Sequence, residues 1–189
     1  MNAKPGERKL QILQTLAAML ESPRPEKVTT AALAAKLDVS EAALYRHFAS
    51  KAQMYEGLIE FIESTLFGLI NKIETETADG ALQAAQIVSM LLSFAERNPG
   101  MTRVLTGDAL VNEDERLQVR INQLHDRLEA SLKQSLRLAQ MAQPDGRDPN
   151  AEANVLLCYV IGRWQLFAKT RFKRAPAEQW ESQKKLLLG

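Results

Sequence analysis

Apolar residues along this chain recur at three- and four-residue spacing, with no sustained two-residue alternation. Leu10, Leu13, Ala17 and Leu20 make one such stripe, and Leu117, Ile121, Leu124, Leu128, Leu132 and Leu136 make a longer one. Turn-forming clusters punctuate the pattern at Ser22-Pro23-Arg24-Pro25, Asp79-Gly80, Asn98-Pro99-Gly100, Pro144-Asp145-Gly146 and Ala175-Pro176. Together they predict an all-α fold of about nine helices, with no internal repeat.

The first three helices are short. Helix 1 is expected from Glu7 to Glu21, where the proline-rich turn ends it. The next two helix starts share one device: an apolar residue, a hydroxyl cap and an apolar residue four positions further on. Val28-Thr29 with Leu33 is the first instance, and Val39-Ser40 with Leu44 the second. Only Asp38 and Val39 separate the end of helix 2 near Leu37 from the Ser40 cap, so the two helices must cross steeply. That is helix-turn-helix geometry. Asp38 stands where such a turn wants positive φ, and aspartate is one of the few non-glycine residues that tolerates it.

Helix 3 reads Ser40-Glu41-Ala42-Ala43-Leu44-Tyr45-Arg46-His47-Phe48. With Leu44 and Phe48 inward, Ala42, Ala43, Tyr45, Arg46 and His47 are left toward solvent or a groove. Two alanines would let the helix sink into a major groove, but alanine is also the best helix former, and alone the pair favours neither reading. Lys51 shifts the balance. It follows the Ser50 cap, whose capping box is completed by Gln53, and so lies at the positive end of helix 4, where a cation is unfavourable unless a phosphate docks there. Tyr45, His47 and the Thr30 hydroxyl would add phosphate contacts.

Charge agrees with that assignment. The whole chain carries a formal net charge of only +1, but residues 1–51 hold eight Lys and Arg against five acids. Contact with a polyanion therefore belongs to the first quarter. The composition, 46% apolar and 25% charged, is that of a folded protein. The lone Cys158 excludes an internal disulfide and reads as a packed thiol in a reducing compartment. The longest apolar stretch, Ile87 to Ala95, is broken by Ser89 and Ser93, so no membrane segment is expected and the chain reads as cytoplasmic. With only His47 and His125, no spaced metal ligands and no glycine-rich phosphate loop, neither an enzyme nor a cofactor is expected.

The segments Val28-Thr29-Thr30-Ala31-Ala32-Leu33-Ala34 and Val39 to Phe48, followed by Ser50-Lys51, resemble the signature of TetR-type repressors. The resemblance implies a helix-turn-helix DNA-binding domain over 1–51, a helical regulatory and dimerisation domain over 52–189, and a homodimer on palindromic DNA. DNA contacts are expected from Thr29, Thr30, Ser40, Glu41, Ala42, Ala43, Tyr45, Arg46, His47 and Lys51. Further on, Leu58 to Glu63, Glu96 to Gly107 and Arg116 to Leu124 resemble the nucleoid occlusion factors of that family. This second resemblance implies a nucleoid-associated protein that antagonises the division protein FtsZ, with the FtsZ tail as the expected partner segment.

Helix 4 carries more apolar residues, from Leu58 to Ile73, than one buried stripe accommodates. Phe61 is placed at an edge, where Met90, Ser93, Arg97 and Asn98 would complete a shallow groove with an apolar floor and a cationic lip, suited to an amphipathic tail. Spacing alone is equally compatible with Phe61 and Met90 as core. A repressor released by a small molecule is the rival reading, and an enclosed cavity of several hundred Å³ would favour it. For the dimer, a helix from Asp148 to Phe172 presents Tyr159, Gly162, Trp164 and Phe167. Gly162 would permit close helix approach, and the aromatic residues would anchor the interface or else pack inside one subunit.

Overall fold

The computed structural model describes residues 5–22 and 27–189, so the Pro23-Arg24-Pro25 turn lies outside the described residues. Nine α-helices and no strand occur among them. They are α1 (Pro5–Leu20), α2 (Thr30–Lys36), α3 (Glu41–Tyr45), α4 (Lys51–Glu76), α5 (Gly80–Arg97), α6 (Pro99–Leu105), α7 (Glu115–Ala142), α8 (Pro149–Lys169) and α9 (Trp180–Leu187), with a 3₁₀ turn at Asp108–Leu110 before α7.

Most helix starts are set by the caps that the sequence supplies. The Thr29 hydroxyl accepts from the Ala32 amide at 3.1 Å and the Ser40 hydroxyl from the Ala43 amide at 3.3 Å. Ser50 accepts from the Gln53 amide at 3.1 Å while the Gln53 side chain accepts from the Ala49 amide at 2.8 Å. Asp79, Asp114 and Asp148 cap α5, α7 and α8 in the same way, and Pro149 follows as the first residue of α8. Asp38 adopts φ 53°, as the tight α2–α3 connection requires.

In the body, α7 runs through the middle and packs on α8, α5 and α4. Its stripe Leu117, Ile121, Leu124, Leu128 and Leu132 is fully buried. From α4 the interior receives Met54, Tyr55, Leu58, Ile59, Ile62, Leu66 and Ile70. Phe67 is half-buried, and the Arg127 guanidinium covers its ring at 3.8 Å. In α1 the buried face is Ile12, Leu13, Leu16, Ala17 and Leu20, so the stripe is offset by part of a turn from expectation and Leu10 is exposed.

Two glycines fix the assembly by what they lack. A β-carbon on Gly100 would collide with the Ala17 carbonyl, so its absence lets α6 lie directly on α1. A β-carbon on Gly80 would strike the backbone of Ser135 and Ala139, so α5 begins hard against α7. The buried residues form one cluster from Ile12 to Trp180, and α1 packs on both α4 and α6. The core therefore passes without a break across the expected boundary at residue 51.

Helix α8 corrects several expectations. It ends at Lys169 rather than Phe172, because Arg171 and Phe172 take left-handed φ of 55° and 63°. Trp164 is fully buried within the subunit, and its indole N–H donates to the Leu91 carbonyl at 3.2 Å. Phe167 is buried against Phe172, with ring centroids 5.1 Å apart. Neither aromatic is available to a second copy. Tyr159 is half-buried under α9, where its hydroxyl donates to Gln183 at 2.6 Å and its ring lies 5.6 Å from Trp180. Cys158 is exposed rather than packed. The outward face of α8 is instead Val155, Cys158, Gly162 and Leu166, and a β-carbon on Gly162 would meet no atom within 4 Å.

Candidate functional site

The recognition segment is held from below. Leu44 is buried and Phe48 nearly so, and the Phe48 amide donates back to the Leu44 carbonyl at 3.1 Å after α3 ends at Tyr45. This anchoring leaves Glu41, Ala42, Tyr45 and Arg46 exposed, with Ala43 and His47 half-buried at the edge. Tyr45 keeps 45% of its surface in solvent. Arg46 has no ion-pair partner among the described residues. Thr29 and Ser40 spend their hydroxyls as helix caps, while Thr30 donates to the Glu41 carboxylate at 2.6 Å and so ties α2 to the first turn of α3.

Two cations that motif reading did not single out belong to the same face. Arg8 lines a shallow cleft of about 310 Å³ with Ala43, Arg46 and His47, and Lys9 stands 5.6 Å above the Phe48 ring. Their positions on α1 carry no motif. Tertiary packing sets Arg8 in one cleft with Arg46 and Lys9 over the Phe48 ring. Lys51, by contrast, does not face an open helix end. Its ammonium is paired with Glu113 of the body at 2.5 Å and lies 5.7 Å over the Tyr55 ring. Burial, with Glu113 close by, holds the Tyr55 hydroxyl far above its usual range, so it remains a neutral phenol.

The second surface lies further along α4. Since α4 and α5 are antiparallel neighbours joined through 77–79, residue counting from the turn sets Phe61 level with Ala95, between Ser93 and Arg97. Phe61 is 37% exposed, Met90 and Ser93 are half-buried, and Arg97 is exposed with no ion-pair partner among the described residues. Asn98 is partly committed, since its side-chain amide donates to the Phe94 carbonyl at 2.7 Å. Among the described residues there is no cluster of three or more His, Cys, Asp or Glu able to hold a metal, and no helix is long and apolar enough to cross a membrane.

Comparison with known proteins gives these surfaces a context. Residues 13–58 match the family model described as bacterial regulatory proteins, tetR family, and residues 79–189 match the SlmA-like tetracyclin repressor-like C-terminal domain. The chain is similar to the nucleoid occlusion factor SlmA of Alteromonas mediterranea, 50% identical over 184 residues, covering 95% of this chain and 93% of that protein. It is also similar to the nucleoid occlusion factor SlmA of Marinomonas sp., 49% identical over 187 residues and covering 97% and 94% of the two chains. In backbone it resembles a TetR transcription regulator from Haloarcula marismortui, with a TM-score of 0.81 at 16% identity over 97% of both chains. The fatty acid degradation regulator FadR from Bacillus halodurans superposes with a TM-score of 0.79 at 15% identity, covering 100% of this chain and 97% of that one. The chain thus belongs to the tetR family of bacterial regulators, within its SlmA branch of nucleoid occlusion factors.

Proposed function

We propose that a homodimer of this chain binds palindromic chromosomal sites through α2 and α3 and, on a separate groove between α4 and α5, takes the tail of FtsZ, so that division is antagonised where DNA is present. Base edges are read by Ala42, Ala43, Tyr45 and Arg46, and Glu41 accepts from a base amino group while Thr30 holds it in place. Thr29, Ser40 and His47 add backbone contacts, and Arg8 and Lys9 extend the phosphate-contacting rim. Phe61 and Met90 form the apolar floor for the tail, with Ser93, Arg97 and Asn98 as the polar lip. The two copies pair through the outward face of α8, where Gly162 offers no side chain to hold them apart. Localisation is the cytoplasm, on the nucleoid.

The observation that carries this reading is the pair of exposed guanidinium groups, without ion-pair partners among the described residues, on separate surfaces: Arg46 just after α3 and Arg97 at the end of α5. Phe61 stands ten positions after Lys51 on α4, a distance of about 15 Å at the helical rise, so the two surfaces do not overlap. A repressor released by a small molecule is less well supported. Trp164 and the leucine-rich faces of α4, α5 and α7 fill the interior of the body. A depression of about 610 Å³ is an open surface hollow rimmed by Asp79, Asp145, Arg147 and Glu152.

The test is fluorescence anisotropy with a duplex selected from a randomised pool and with a labelled acidic FtsZ tail peptide. Arg97→Ala is expected to keep thermal stability and duplex affinity near wild type while weakening the peptide by about 1–3 kcal/mol, the scale of a lost charged hydrogen bond. Arg46→Ala is expected to do the reverse. Equal losses for both ligands in the Arg97 variant would overturn the two-surface reading.

A further inference from the structure

The cation at the first position of α4 is already occupied. Lys51 stands at the positive end of a helix, where the dipole disfavours it, yet its side chain is 78% covered and its ammonium lies 2.5 Å from a Glu113 carboxylate that is itself 89% covered. Glu113 comes from the short link between the Asp108–Leu110 turn and α7. It follows Asn112, which takes a left-handed φ of 65°, and directly precedes the Asp114 cap of α7. The other ion pairs between α4 and α7 have the opposite polarity: Glu56 with Arg116 at 3.6 Å, and Glu63 with Arg120 at 2.7 Å and Arg127 at 3.9 Å. Among the described residues, only the pair at the start of α4 puts the base on α4 and the acid on the segment leading into α7.

We propose that Glu113 is an intramolecular competitor for DNA phosphate: it holds Lys51 in the free protein, and a backbone phosphate at the α4 N-terminus takes its place in the complex. The inference rests on the reading of α2 and α3 as the DNA-contacting surface. Three features make the exchange feasible. Lysine is a point charge on a flexible stem that can change partners, whereas an arginine fork would grip the carboxylate at two points. The start of α4 supplies free backbone N–H groups and a positive dipole end for the incoming anion. The released carboxylate stays beside Lys27, which lines the same cleft, while Arg103 there is paired with Asp108 at 3.7 Å. By linkage, whatever tightens the Lys51–Glu113 pair weakens DNA binding by the same factor, and the joint between α4 and the start of α7 senses whether DNA is bound.

The test measures affinity for a selected duplex and for a random duplex, at one fixed salt concentration, for wild type, E113Q, K51A and the double variant. Circular dichroism melts check folding, and K51Q replaces K51A if the latter does not fold. E113Q is expected to bind both duplexes about fivefold more tightly, the scale of releasing one partly covered ion pair, and to gain nothing in the Lys51-substituted background. Unchanged or weaker binding by E113Q would overturn the proposal, leaving Glu113 as a support for α4. An equal gain in the Lys51-substituted background would also overturn it, because removing a negative charge would then be the whole effect. Arg46→Ala in the same assay separates the two levels of inference: wild-type binding there would remove the DNA-surface reading itself, whatever E113Q does.

Discussion

The helix-turn-helix segment and helix α8 both offer an outward face, and they acquire it by different physics. In α2 and α3 each end is fixed by adjacent residues, Thr29 and Ser40 as caps and Val28 and Val39 as staples, so the exposed set follows from a few neighbouring positions. In α8 apolar residues occur nearly all round, and the faces that turn inward are decided by α5, α7 and α9. A helix of the first kind carries its orientation in its own sequence. One of the second kind takes it from its neighbours.

That contrast can be broken hardest at Trp164. Because it is enclosed by the subunit and donates to Leu91, Trp164→Ala is expected to cost about 3–5 kcal/mol in urea unfolding, as large core truncations do. Leu166→Glu, two residues away on the outward face, should cost less than about 1 kcal/mol in the same assay but shift sedimentation toward monomer. A large stability loss with the dimer intact would show that the outward face of α8 is misassigned.

Gly100 tests the contact between α6 and α1. Gly100→Val forces the Ala17 carbonyl and α6 apart, and an expected loss of about 1–3 kcal/mol in Tm-derived stability should be joined by weaker duplex binding, since α1 moves with it. Unaltered DNA affinity at reduced stability would mean that this contact does not position the reading surface. Within the helix-turn-helix the effect is smaller and local. Ser40→Ala removes one cap and is expected to lower stability by about 1 kcal/mol, with Ser40→Gly much milder.

The smallest expected effect is a pH dependence from the body. His125 sits partly covered, 6.1 Å from the Trp164 ring, and burial lowers its pKa below the ordinary 6.5. The unfolded chain then takes up a proton before the folded chain does. Stability is therefore intact above pH 6.5 and falls as pH drops from that value toward the lowered one. His125→Gln should flatten the Tm profile across that window, and an unchanged profile would assign the acid sensitivity to other groups.

The exposure of Tyr45 and Arg46 was legible in the sequence, since it follows from Leu44 and Phe48 facing inward. For Phe61 the surplus of apolar residues on α4 says only that some must face outward, and spacing is equally compatible with Phe61 in the core. Arg8 and Lys9 were not legible, because nothing local on α1 says that Arg46 and Phe48 lie beside them. Nor was the partner of Lys51. The sequence could say that a lysine is misplaced at a helix start and needs an anion, but phosphate and carboxylate satisfy that requirement equally.

By itself the sequence determined the helical class, the starts of α2, α3, α4 and α8 and the helix-turn-helix, because caps, staples and apolar spacing act over a few residues of contiguous chain, whereas α1 begins at Pro5 rather than Glu7. Only the tertiary structure decided that Trp164 and Phe167 are interior, that Cys158 is outside, and that Glu113 meets Lys51 across the joint between α4 and α7. Burial and ion pairing depend on which surfaces are brought together, and residues far apart in the chain carry no local record of that meeting.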